Sequence, residues 1–117
     1  MKRISKYLVV LAMAGFSGFA MTAVQAAGDV ARGKEKSQTC QSCHGLDGNS
    51  PTAQFPTLAG QYQDYLAHSL KAYQSGARKN AIMAGMVAAL SDQDIEDLAA
   101  YYASQKGLYD TTEPRFR

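Results

Sequence analysis

The sequence has no tryptophan, two cysteines and two histidines in 117 residues. Two thiols are too few for a disulfide-dense mini-domain, and a structural zinc site normally needs a second ligand pair. Large aliphatic side chains are also scarce after residue 26, where Val30, Val87, Ile82, Ile95 and seven leucines are all that occur. A short chain buries a modest core, and such domains are often completed by a disulfide, a metal or a cofactor. Another apolar body is therefore expected inside the fold. No segment reads as a strand, and there is no repeat, low-complexity stretch or internal linker. No basic cluster or aromatic-basic stripe is present, which excludes nucleic acid as the expected partner.

The N-terminus reads as an address. Lys2, Arg3 and Lys6 precede an apolar run from Tyr7 to about Ala23, and Val24-Gln25-Ala26 fits a signal peptidase site. The rival, an uncleaved membrane anchor, is disfavoured because the run is near the lower length limit for a span and is interrupted by Gly15, Ser17, Gly18 and Thr22. The expected organisation is a signal peptide over residues 1–26 and one domain over 27–117, placed in the periplasm. Removing the leader leaves nine basic and ten acidic residues, so the formal charge changes from +2 to −1.

Helical signals dominate the remainder. Asp29 is a candidate N-cap for a short helix from about Val30 to Cys40, and Gly33 within it suggests close approach to another helix. Residues 46–59, with Gly48, Pro51 and Pro56, read as an ordered loop. Tyr62, Tyr65, Leu66, Ser69, Leu70 and Tyr73 repeat at helical spacing, with Gly76 at the cap position. A turn of helix is expected around Ala84 to Ala89. Ser91, followed by Asp92 and Asp94, starts a last helix whose buried stripe is Ile95, Leu98, Ala99 and Tyr102, and Gly107 ends it. The tail beyond Tyr109 is polar.

Chemistry concentrates at Cys40-Gln41-Ser42-Cys43-His44, the C-x-x-C-H pattern of covalent haem attachment. The two thiols add across the porphyrin vinyl groups, and the next residue places an imidazole below the iron. A thioredoxin-like pair would need a βαβ setting, which is absent. A plain disulfide would leave His44 without a role. For the other axial position, Met83 and Met86 are the only methionines after the leader, in Gly/Ala-rich sequence suited to close metal approach. Core filling is the ordinary use of Met. His68 competes as a second imidazole but falls off the Tyr62–Tyr73 stripe. Ala53, Ala84 and Gly85 are candidates to surround an exposed cofactor edge.

These motifs, with Asp47-Gly48-Asn49-Ser50, Phe55-Pro56-Thr57-Leu58-Ala59-Gly60-Gln61, Met83-Ala84-Gly85-Met86 and Leu90-Ser91-Asp92-Gln93-Asp94-Ile95, make the sequence similar to class I cytochromes c. It most resembles one half of the periplasmic dihaem cytochrome c4 family, over nearly all of residues 28–107. The resemblance implies an all-α fold of about four short helices wrapped around one covalent haem c. It further implies thioether bonds at Cys40 and Cys43, His44 as proximal ligand, Met83 rather than Met86 as distal ligand, and the Pro56 carbonyl accepting from His44. Gly33 and the Tyr101-Tyr102 region would lie where the first and last helices cross. The sequence departs from the dihaem pattern in having a single C-x-x-C-H.

The implied function is one-electron transport between redox partner proteins, not enzymatic catalysis, with membrane complexes only as transient docking partners. The alternative is a haem-bearing subunit of a periplasmic oxidoreductase. An open-iron gas-binding or peroxide-active protein is disfavoured by Met83.

Overall fold

The computed structural model describes residues 27–109, and the expected leader and the last eight residues lie outside them. The described residues contain five α-helices and no strand: α1 Val30–Lys36, α2 Gln38–His44, α3 Gln63–Ser75, α4 Ala81–Val87 and α5 Asp92–Ala103. Helix α5 is the hub. Both α1 and α3 pack on it, and α4 packs on α3.

The termini of α5 follow from sequence chemistry. The Ser91 side chain accepts from the Asp94 N–H while the Asp94 carboxylate accepts from the Ser91 N–H, closing a capping box. Its inner face carries Ile95, Leu98, Ala99 and Tyr102, all buried, as the periodicity predicts. The helix ends at Ala103, with Ser104 as cap, not at Gly107. Residues beyond it turn back so that the Leu108 N–H reaches the Ala59 carbonyl, and Gly60 donates to Tyr102 O.

Where one helix was expected over Val30–Cys40, the chain forms two. The Ser37 hydroxyl donates to Lys34 O, and Ser37 itself is fully buried between α1 and α2. This local side-chain bond competes with helix continuation. The break raises the helix number above the expected four. It also carries helical structure through the whole C-x-x-C-H motif, which the sequence placed only at a helix end.

At the α1–α5 crossing Gly33 is buried, and a Cβ there would overlap the Asp97 carbonyl and stand 2.7 Å from Tyr101 Cβ. Only glycine permits that approach. The same crossing buries Asp97, whose carboxylate accepts from the Asp29 N–H, Arg32 Nε (2.9 Å) and Gln93 Nε2. The Arg32 bond, strongest of these influences, holds the Asp97 carboxyl far below the usual carboxylate range.

The α3 C-terminus is closed by Gly76 in the left-handed conformation (φ 78°), as the sequence predicts. The segment expected as a turn near Ala84 to Ala89 starts earlier, as α4, because the Asn80 side chain caps it by accepting from the Met83 N–H.

Candidate functional site

A cavity of about 610 Å³ is bordered by α2, the loop after it, α3, α4 and α5. Its volume falls within the range of about 300–1,000 Å³ typical of small-molecule and cofactor sites. The wall is mainly apolar and aromatic, from Phe55, Leu58, Tyr65, Leu66, Leu70, Tyr73, Leu98 and Tyr102 among others. The Tyr65–Tyr73 face of α3, legible from its period, is therefore a cavity wall as much as a helix-packing face.

Cys40, Cys43, His44, Pro56, Met83 and Met86 all border this one space. Both thiols are unlinked and partly buried. Burial pushes the Cys40 thiol up from its ordinary value. His44 is buried, and its Nδ1 is 2.8 Å from the Pro56 carbonyl. A carbonyl only accepts, so Nδ1 carries the proton and the Nε2 lone pair is left for a metal. Such a bond fixes the ring and raises its basicity.

The loop is held in place by the end of α5. Leu58 and Ala59 donate to Gly48 O, Asn49 Nδ2 reaches Lys106 O, and Tyr101 Oη donates to Leu46 O. Pro56 is thereby positioned by a framework remote in sequence. Phe55 meets the His44 ring edge-on, with centroids 6.3 Å apart.

Met83 is half-buried and Met86 is 42% exposed, and both reach the cavity from α4. His68 is exposed and stands outside the wall. Ala53, Ala84 and Gly85, expected around a cofactor edge, do not border the cavity; Ile82 and Met86 do. Sequence reasoning also missed Arg78, Gln54 and Gln61 as wall residues, because none lies on a helical stripe or in the C-x-x-C-H motif. Tyr102 contributes a buried hydroxyl without a hydrogen-bond partner, and burial followed by the nearby Cys40 pushes its phenol up. A second depression, of about 420 Å³ beside Gly28, Tyr62 and Ala103, carries no thiol, imidazole or thioether.

The donor set suits one group. Two thiols three residues apart, a tautomer-fixed imidazole beside them and thioethers on a separate helix border one apolar space. Among the described residues no group of three or more His, Cys, Asp and Glu is placed to hold a bare metal ion.

Comparison with known proteins agrees. The family model for cytochrome c matches residues 30–106. Cytochrome c4 of Pseudomonas aeruginosa is 44% identical over 94% of this chain and 53% of its own length. Cytochrome c-554(548) of Halomonas halodenitrificans is 49% identical over 68% of this chain and 100% of its own. The crystal structure of reduced recombinant cytochrome c4 from Pseudomonas stutzeri superposes with a TM-score of 0.67 at 47% identity, over 70% of this chain and 48% of that one. The chain thus spans about half the length of the cytochrome c4 relatives it matches.

Proposed function

The chain belongs to the cytochrome c family and takes a covalent haem c, and from that premise we propose that it is a one-electron carrier of the periplasm. In this reading residues 1–26 direct export and are removed, and residues 27–117 form the single-haem domain. The observation that carries the proposal is the convergence of Cys40, Cys43, His44 and Met83 on one apolar cavity of about 610 Å³.

Haem c supplies a one-electron ferric/ferrous couple. The chain supplies the rest. Cys40 and Cys43 tether the macrocycle through thioether bonds. His44 would offer Nε2 to the iron while Pro56 O accepts from Nδ1–H, which fixes the ring's orientation and tautomer. Met83 is the methionine that would hold the iron: it is the more enclosed of the two, and the Asn80 cap fixes the first turn of α4 at its backbone. A thioether together with an imidazole would give the haem a higher potential than two imidazoles. The apolar wall would keep water from the bound group and limit rearrangement on a change of charge. Donor and acceptor proteins dock transiently at small surfaces, as is usual for redox encounters, and the chain catalyses no reaction of its own.

A second reading also has support among the relatives. The thiosulfate dehydrogenase electron acceptor of Thiomonas intermedia is 44% identical over 58% of this chain and 32% of its own length. A haem-bearing subunit of a periplasmic oxidoreductase would co-purify with a larger catalytic chain, whereas a free carrier runs alone.

Substitution tests the ligand assignment. Met83→Ala is expected to abolish the long-wavelength ferric absorption of the Met–iron bond and to lower the midpoint potential. Met86→Ala should retain the band. The reverse pattern would transfer the distal role to Met86.

A further inference from the structure

Helix α4 carries both methionines that border the haem cavity, yet little in the helix itself keeps it in place. Its seven residues are too few for a helix that is stable alone. Gly85 lies inside it, and a Cβ there would meet nothing within 4 Å, so this glycine weakens the helix without serving a close approach. Val87 is its one buried side chain, whereas Ile82 and Met86 are exposed. Its one substantial helix neighbour is α3.

The two ends of α4 are secured differently. At the start, the Asn80 side chain caps from within the local sequence. At the other end no glycine closes the helix, because the cap residue Ala88 keeps a right-handed conformation. The last carbonyls of a helix lack partners inside it. Gln74, in the last turn of α3, supplies donors from outside. Its Nε2 donates to Val87 O at 3.0 Å and to Leu90 O at 2.8 Å, across 13 and 16 residues of sequence. One amide group has two N–H donors, and both are used here on the turn that joins α4 to α5. The bond to Val87 falls where α4 is seated in the fold, at its one buried side chain.

We infer that Gln74 is a positioning residue for the methionine ligand: by pinning the C-terminal end of α4 to α3, it keeps the thioether on the iron. The inference rests on the haem-carrier reading above, and it applies to Met83 and Met86 alike because both ride on α4. Gln74 does not border the cavity, so it acts through the helix and not on the cofactor. Without its two bonds α4 would open locally while the packing of α1 and α3 on α5 stays intact.

The test uses the haem-loaded protein with cyanide as the probe. Cyanide binds ferric iron only after the thioether has left it, so at saturating cyanide the decay of the Met–iron band reports how often α4 opens. Gln74→Glu keeps the shape and exchanges the donors for an acceptor, and should speed that decay about tenfold, the equivalent of one to two net hydrogen bonds. In the reduced protein, amide hydrogen exchange should quicken in α4 and not in α5. Gln74→Lys restores N–H donors at a helix C-terminus, where a cation is also favourable, and should return both readouts toward those of the unsubstituted protein. Lys71→Ala breaks a different tie of α3, the 2.8 Å pair with Glu96 of α5, and should change neither. Either readout unchanged in Gln74→Glu would overturn the inference. So would equal acceleration in Lys71→Ala, or a Gln74→Lys protein as labile as Gln74→Glu. The carrier reading fails separately, by absence of covalent haem or of the Met–iron band in the unsubstituted protein.

Discussion

The α1–α5 crossing and the cavity wall are built on opposite plans. At the crossing, Asp97 is 0% exposed, Gly33 allows backbone contact, and the buried carboxylate has its partners in place. Along the cavity, Ile82 is 64% exposed and Tyr65 49%, although both are large and apolar. The protein completes the first region by itself and leaves the second for the cofactor. Covering a side chain of that size contributes about 1.5–3 kcal/mol. A few such residues therefore match a substantial part of the 5–15 kcal/mol by which domains are stable. A haem seated against this wall would be a structural element of the fold as well as a redox group.

The sharpest break in that comparison is removal of the tether. Cys40→Ala combined with Cys43→Ala should abolish haem that stays with the chain on a denaturing gel. It should also cost several kcal/mol, enough to lose the near-ultraviolet signature of fixed aromatics. A double variant that kept its cooperative unfolding would show the wall to be self-sufficient.

Gly33→Ala attacks the other region. The added methyl has no room against the Asp97 backbone, so α1 must shift on α5, at a cost of about 3 kcal/mol measured by urea unfolding of the haem-loaded protein. The Met–iron band should persist, since the crossing stands apart from the ligands.

Asp97→Asn should cost about 2 kcal/mol at neutral pH, because Arg32 loses the closer of its two carboxylate partners and a buried donor replaces an acceptor. The wild-type carboxyl is held below its unfolded value near 4, so its contribution is complete above that pH and is lost as the pH falls further. The variant and the wild type should therefore converge in acid. A difference that stayed constant down to strongly acid pH would mean that shape, not charge, matters at this position.

The smallest effect belongs where the two regions meet. Tyr102 packs in the core and borders the cavity, yet its hydroxyl has no partner. Tyr102→Phe should leave stability unchanged or raise it by up to about 1 kcal/mol in thermal unfolding. A clear loss of stability would reveal a hydrogen bond formed once haem is present.

The sequence was most legible where geometry is local. The periodic faces of α3 and α5, the Ser91 and Asp29 caps and the αL Gly76 follow from spacing within a few residues. The C-x-x-C-H motif announces its cofactor in the same way. The break at Ser37 was not legible, because a serine hydroxyl bonding Lys34 O looks in sequence like any polar helix residue. Asp97 was equally hidden: its partners Asp29 and Arg32 are 68 and 65 residues away. Arg78 reaches the cavity only because Gly76 reverses the chain, which no periodicity records.

In the proposed carrier, His44 and Met83 would hold one haem that passes single electrons without changing its ligands. Spectroelectrochemical titration of the exported, purified protein tests this most directly. One reversible one-electron transition per chain is predicted, with the Met–iron band present in the ferric protein and a ferrous form that does not bind carbon monoxide. A ferric protein without that band, whose ferrous form takes up carbon monoxide rapidly, would contradict it.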